Sequence, residues 1–510
     1  MVEREPKAFI QHVITCPFHT QPSSMSLTHL TDFSDKLSPM LVKELRQGMR
    51  ARSFIMLFLV FQCLLALILI TAGAFLESDD AGSAASGIIF TMFSIAVLFI
   101  QPMRGVNALS SEITGNTIEM MVLTRLSASR IVFGKWIAIV SQSALLLTTI
   151  IPYLILRYFF GGMVLVGELV FLGLIFLTSM ALTAVMVGFS ATTARLARVL
   201  PIFGIAILAQ VVPSYLFRGR FGWGMSYFNL SDWESIIGIS CYLIFIAYIG
   251  WCALSHGTSA IAPVAENHST LRRLIALGLT LMAVGIGVYQ SMDLKPLAVI
   301  LAIILGPALF TALTESPIIL PPVCKPFLKR GITGRIAAAF LLPGWPAGVF
   351  YTALLATISL TGIGYSAIAN AFHPEDIIVC LSFLGSVLLP ALLASLFTKE
   401  ESKRFTNFMI FLVASISLAV AAMIFTGINS NEAALWSLVW NPPVALFMMA
   451  TSKFETGNVL MAITLVDSAI FLALIGTALK AYGEYQRVFG EAEAALMPQN
   501  PSTAESLSES

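Results

Sequence analysis

Residues 110–136 read SSEITGNTIEMMVLTRLSASRIVFGKW, a polar island between two apolar runs, 86–106 and 136–156. Each flanking run is long enough to cross a bilayer, which takes about 20 apolar residues in a helix. The first part of the island reads as a short helix. Asn116 is placed to cap it, with Glu119 three positions on in the pattern of a capping box. Ile118, Met121 and Val122 then share one face at helical spacing, and Met120 and Leu123 widen that face. Arg125 follows at the C-terminal end, where a cation complements the helix dipole. Ser127 and Ser129 look like a second N-terminus, and from Arg130 a new helix runs through Lys135 and Trp136 into the next apolar run. A compact apolar-faced helix on such a loop either plugs into a partner protein or rests on lipid headgroups. The residues alone leave both open.

The rest of the chain sets the island in a membrane. Of 510 residues, 57% are hydrophobic and 11% charged, where a soluble domain carries about a quarter charged residues. The composition predicts an all-α, polytopic membrane protein. Twelve spans are expected, at 54–76, 86–106, 136–156, 167–189, 199–217, 235–254, 274–290, 294–313, 348–365, 376–397, 405–426 and 458–479. Residues 435–450 are apolar too, but Asn441-Pro442-Pro443 would break a span, so they read as a re-entrant or external segment. With both termini cytoplasmic, all but five of the 29 Lys and Arg fall on the inner side, the five being Arg157, Arg218, Arg220, Lys295 and Lys453. That asymmetry places the island in the cytoplasm. The outer loops carry acids instead, as in Glu77-Ser78-Asp79-Asp80 and Pro374-Glu375-Asp376.

The expected organisation has four parts: a disordered cytoplasmic arm at 1–36, a six-span unit at 37–273, a second six-span unit at 274–489 and a disordered tail at 490–510. In the first unit Ser38 caps an interfacial helix, Pro39 takes its first position, and Lys43, Arg46, Arg50 and Arg52 face headgroups. The second unit shows no second copy of the island. Both units end alike, with a span, an outer segment holding Trp and polar residues, and a final span, as a decayed repeat or a coincidence would.

Several chemistries find no support. A net charge of +1 gives no field to attract nucleic acid. No G-x-x-x-x-G-K-[ST] occurs, so the chain has no P-loop for ATP, and no H-E-x-x-H occurs. No catalytic set emerges, and none of the predicted spans contains His; His256 and His268 read as surface residues of an inner loop. His12, Cys16, His19 and His29 fit no compact metal site, and the six cysteines form no CxxC pair. Polar groups inside spans are the better pointers. Asp467, near the middle of the last span, would bind substrate or an ion, relay a proton, or form a hydrogen bond across helices. Gln62, Gln101, Gln142 and Gln210 would line the bundle interior or join helices. Glu168 and Arg157 are expected at the wet outer interface.

Glu112, Gly115-Asn116-Thr117-Ile118-Glu119, Leu123-Thr124 and Gly134-Lys135 resemble the E…GT(L/I)E…LL-T-P…GK pattern of ABC-2 type transporter permeases. Ser38-Pro39-Met40-Leu41-Val42-Lys43-Glu44-Leu45-Arg46 resembles the N-P-x-x-x-K-E-(L/F)-R helix ahead of that family's first span. Pro263-Val264-Ala265-Glu266-Asn267 resembles a P-x-x-E-N segment after the sixth. One departure is Arg125-Leu126, where the family often has proline. The resemblance covers roughly the first half of the chain. It implies the membrane subunit of an ABC transporter, an export permease of a bacterial cytoplasmic (inner) membrane. It further implies transport energised by a separate P-loop ATPase subunit that binds the ATP, with a second permease copy or related permease as partner. This chain would bind no cofactor and do no enzymatic chemistry. Glu112 and Glu119 would fix the loop, Gly115 and Thr117 belong to its motif, and Ile118, Met121, Val122 and Leu123 would form the face of a coupling helix that fills the ATPase groove. Arg125 would sit at the rim of that groove. Two other classes remain: an ion-driven secondary transporter using Asp467, and a membrane scaffold or assembly protein.

Overall fold

The computed structural model describes residues 39–75, 88–115, 127–158, 165–191, 233–263, 266–316, 320–369, 373–398, 400, 403–429, 432–450 and 454–494. Among the described residues the regular structure is helical, with no strand. Eleven helices among the described residues are long and apolar enough to cross a membrane. They coincide with eleven of the twelve expected spans; the remaining one, 199–217, lies outside the described residues. The chain is an integral membrane protein of helical, polytopic type.

The chain begins with α1 (Pro39–Met49), which starts at the proline as its missing N–H allows. Leu45 turns inward, while Lys43, Arg46 and Arg50 are exposed. A tight turn at Arg50-Ala51 leads into the first span, α2 (Arg52–Phe75). The second span, α3 (Ile88–Thr114), is not one smooth helix. It widens to a π-helix over Ile95–Ile100, recovers over Gln101–Met103, and tightens to a 3-10 turn over Arg104–Asn107. Pro102 accounts for the break: it has no N–H to give and its ring crowds the carbonyl four residues back. A last short turn, Ser110–Thr114, then continues beyond the expected end at 106.

The remaining spans of the first half are α4 (Ala128–Tyr158), α5 (Leu165–Phe189) and α6 (Trp233–Ile261). α5 and α6 meet backbone to backbone. A Cβ on Gly188 would fall 2.1 Å from the Ala253 carbonyl oxygen, and one on Gly257 2.8 Å from the Gly188 Cα. Small residues permit such crossings in membranes, where dispersion contact replaces the hydrophobic effect.

The second half holds α7 (Ser269–Tyr289), α8 (Leu294–Thr314), α11 (Trp345–Ala369), α12 (Pro374–Phe397), α13 (Arg404–Asn429) and α16 (Thr456–Ala494). Four shorter helices are inserted: α9 (Pro321–Leu328) and α10 (Gly331–Leu341) between α8 and α11, and α14 (Glu432–Ser437) and α15 (Pro443–Ala450) between α13 and α16. The break at Asn441-Pro442 agrees with the expectation that residues 435–450 do not form a span. α9 and α10 were not expected. Val323, Cys324 and Phe327 of α9 pack with Ala338 of α10 against Tyr485 and Ala492 on the far end of α16. Residues 490–494, expected in the tail, are therefore helix, and Arg335 pairs with Glu493 there.

The two halves share a pattern of helix neighbours. In the first, α2 lies beside α4, α3 beside α5, α4 beside α6 and α5 beside α6. In the second, α7 lies beside α11, α8 beside α12, α11 beside α16 and α12 beside α16. One apolar core runs through the contact between halves, from Val185 and Phe189 of α5 and Phe245 and Ile249 of α6 to Leu301 and Leu305 of α8.

Candidate functional site

The two ends of the island are anchored in one ionic knot. Lys135, 6% exposed near the start of α4, places its Nζ 3.0 Å from a carboxylate oxygen of Glu44 on α1 and 3.0 Å from one of Glu112 at the end of α3. α1 brings Glu44 there by packing along α4 with Leu45 inward. An ammonium carries three donors on a compact charge, so one lysine can serve two carboxylates. Around it Arg104 donates to Gln142 and lays its guanidinium 5.5 Å over the Phe54 ring. The Leu109 N–H donates to the Ser190 hydroxyl at 3.0 Å, and Trp136 Nε1 to the Met180 carbonyl at 2.9 Å. The knot thus locks α1 and the end of α3 to α4 and α5.

Glu44, Glu112 and Lys135 come from separate segments of the sequence, and the fold brings them together. Lys43 and Arg46 sit on the exposed side of α1. Gly115 ends the short helix after Glu112, its N–H reaching the Ser111 carbonyl at 3.1 Å. Asn116, Thr117, Ile118, Glu119, Met121, Val122, Leu123 and Arg125 lie outside the described residues. So do His12, Cys16, His19 and His29, and Gln210. Asn267, from the third resembling segment, accepts the Thr270 N–H at 3.1 Å and so caps the start of α7.

A second knot went unseen in the sequence. Glu315, just past α8, accepts from Arg272 at 2.5 Å and from Arg273 at 2.8 Å, both at the start of α7 and both nearly inaccessible. The Ser269 hydroxyl and the Gly344 N–H also donate to it. Arg273 further donates to the carbonyls of Phe340, Leu342 and Gly344 at 2.9, 2.6 and 3.0 Å. Burial raises the Glu315 carboxyl, but Arg273, Arg272, the Ser269 hydroxyl and the Gly344 N–H outweigh it and hold the group below its usual range. Arg404 stacks 3.8 Å over the Trp345 ring and closes the same region. The available signal was an arginine pair opening one span and an acid closing the next.

Aromatic rings at the same end of the bundle link the two halves. Phe189, next to Ser190 of the first knot, lies 5.1 Å from His256 and 5.6 Å from Phe405, and Phe405 lies 5.3 Å from Phe310. His256 is therefore not a surface residue of a loop. α6 outruns its apolar core and carries the imidazole between Phe189 and Phe405, with ring centroids 5.0 Å apart on the latter side.

Deeper in the bundle, Gln101, Ser143 and Thr183 are buried on α3, α4 and α5 with side-chain atoms that have no partner among the described residues. Gln142 is buried as well, and satisfied by Arg104. Glu168 departs from expectation: it is 2% exposed, enclosed by protein in the first turn of α5, where the helix dipole favours an anion. Asp467 is 5% exposed, and of the three roles left open for it the hydrogen bond across helices is not seen: neither carboxylate oxygen has a partner among the described residues. Among those residues no three of His, Cys, Asp or Glu gather as metal ligands would. The fold and these knots define a polytopic helical membrane protein with a loop held at both ends by buried ion pairs. Comparisons with protein-family models, curated proteins and solved structures find no match to the chain.

Proposed function

We propose that this chain is the membrane-spanning permease subunit of an ABC-2-like transporter, an exporter of a bacterial inner membrane with twelve spans and both termini cytoplasmic. A separate P-loop ATPase docks on the coupling stretch, residues 110–136, and supplies the energy, and a second copy or a related permease completes the transporter. The observation that carries this reading is the knot of Glu44, Lys135 and Glu112. A resemblance drawn from scattered motifs needs no contact between them. Here the charged residues of three motif segments meet, at the root of the loop in question. A loop rooted in buried ion pairs on α1, α3 and α4 transmits a push to the first three spans, as coupling requires. A loop that merely rests on lipid has no need of such roots.

The test places a charge on the apolar face. Burying one such side chain in a partner stabilises the complex by about 1.5–3 kcal/mol, and an unpaired charge there costs more. Met121→Glu or Val122→Glu should lower ATPase affinity tenfold for each ~1.4 kcal/mol lost. Membrane abundance should hold, because the loop lies outside the spans. The measurement is recovery of the ATPase by the tagged, full-length permease from the native membrane. Equal recovery by wild type and Val122→Glu, at equal abundance, would sink the assignment.

A further inference from the structure

α16 presents one buried stripe to its neighbours: Val459, Ile463, Asp467, Ile470, Leu474 and Ala478. The spacing is helical throughout, and every member but one is apolar. The exception stands roughly 17 Å from the start of the helix, about half a bilayer's depth. No donor among the described residues makes a hydrogen bond to it. Gly385 of α12 faces it so closely that a Cβ there would lie 2.1 Å from the Asp467 Oδ1 and 2.6 Å from the Pro442 Cγ. One turn earlier on the same face of α12, the fully buried Ser382 hydroxyl also lacks a partner. Pro442 belongs to the break between α14 and α15. Its neighbour Asn441 is engaged elsewhere, accepting from the Ser415 hydroxyl at 2.5 Å and donating to the Ser415 carbonyl at 2.8 Å. Ile463, one turn before Asp467, packs in an apolar cluster with Ile378, Ala419, Leu435, Val444 and Met448.

An ionised carboxylate in hydrocarbon needs a counter-charge or several donors. No charged group supplies one. The ionisable groups on helices packed against α16 are Glu375, Asp376 and Cys380 of α12, Tyr351 and Tyr365 of α11, Cys324 and Lys325 of α9, and Arg335 of α10, which pairs with Glu493; α15 has none, and along the chain the nearest are Glu455, just ahead of α16, and Lys480. None is paired with Asp467. The missing side chain at Gly385 leaves the Asp467 carboxyl its place against α12. We propose that Asp467 is a proton-binding site inside the membrane domain, occupied in this conformation and exchanging its proton with one aqueous compartment when the seam between α12, α15 and α16 opens. The proton bonds to a carboxylate oxygen on closure and passes to water on opening, with no other co-reactant. The broken α14–α15 segment, whose Pro442 lies with the Asp467 carboxyl against Gly385, is the element whose movement would admit water. The proposal stands whether or not an ATPase docks on the island.

The test needs no knowledge of the transported substrate. A hydrophobic carbodiimide reacts with protonated carboxyls in apolar surroundings and leaves a stable mass tag. Purified full-length protein in sealed vesicles is treated while the pH of the internal and external solutions is varied separately, and the tagged peptides are mapped by mass spectrometry. The expected result is a tag on Asp467 that falls several-fold as one bath, and not the other, is made alkaline. Asp467→Asn should carry no tag there. A tag indifferent to the pH of both baths would mean a sealed acid that serves packing alone, and would overturn the proposal. So would the absence of any tag on Asp467 at every pH. Both of these outcomes are read on the wild-type protein, so they hold even where the variant folds poorly.

Discussion

Lys135 holds two carboxylates with one ammonium, so its loss does more than remove a contact. It leaves Glu44 and Glu112 as neighbouring anions that keep only 16% and 17% of their side-chain exposure. Breaking a buried ion pair from one side costs about 3–5 kcal/mol, and the partial wetting of these two acids puts the expected cost of Lys135→Met at about 3 kcal/mol. The thermal midpoint of the detergent-solubilised protein should fall by several degrees. Adding Glu44→Gln and Glu112→Gln should recover most of the loss, because the uncompensated charge is then gone. An unchanged midpoint for Lys135→Met would deny the knot any structural weight. The three residues were legible one at a time, as parts of motifs. Their meeting was not, since 91 and 23 positions separate Lys135 from its two partners. The Arg272–Arg273–Glu315 knot was harder still, because charges at span ends satisfy the positive-inside pattern whether or not they are buried.

Helices were legible wherever about 20 apolar residues ran together, because the bilayer demands that every backbone group be satisfied within the span. Hydropathy reports the apolar length of a helix, however, and not its end. α6 runs on to Ile261 and α16 to Ala494, each through polar sequence beyond the expected span, whereas the start of α4 at Ala128 was legible from Ser127 and Ser129. α9 carries Pro321, Pro322 and Pro326, a composition that signals loop, but two of these prolines occupy its first turn, where no N–H is needed. Contacts between helices were less legible than the helices. The backbone crossing of α5 on α6 rests on Gly188 and Gly257 and on no motif singled out in the sequence. Gly188→Leu should force the two helices apart. Overpacking of this kind costs about 1–3 kcal/mol or more, so the variant should lose yield and thermal midpoint. Gly173→Ala on the same helix meets nothing within 4 Å and should be neutral or slightly stabilising. If both variants behave alike, the helices do not cross at backbone contact.

At the scale of the molecule, both knots and the aromatic cluster share one end of the bundle. The starts of α4, α7, α11 and α13 lie there with the ends of α3, α5, α6, α8 and α12, as the contacts of Lys135, Leu109, Arg272, Phe189, His256 and Arg404 require. The opposite end carries the starts of α8 and α12, joined by Lys295 and Asp376 at 3.9 Å. The repeated pattern of neighbours, α5 on α6 and α12 on α16, gives the halves the same polarity across the membrane. A single orientation therefore fixes every loop at once. The first end holds exposed Lys325, Lys329 and Arg330 as well as the knots, while the second displays Glu375 and Glu455. The positive-inside rule assigns the basic end to the cytoplasm. In intact cells, cysteines replacing Glu375 and Glu455 should react with an impermeant maleimide. Cysteines replacing Ser127 and Lys329, exposed at the other end, should react only after the membrane is opened. Because both ends are sampled in both halves, a mixed result would break the shared polarity of the halves. Labelling of Ser127→Cys from outside would turn the whole molecule over, placing the island beyond reach of any cytoplasmic ATPase.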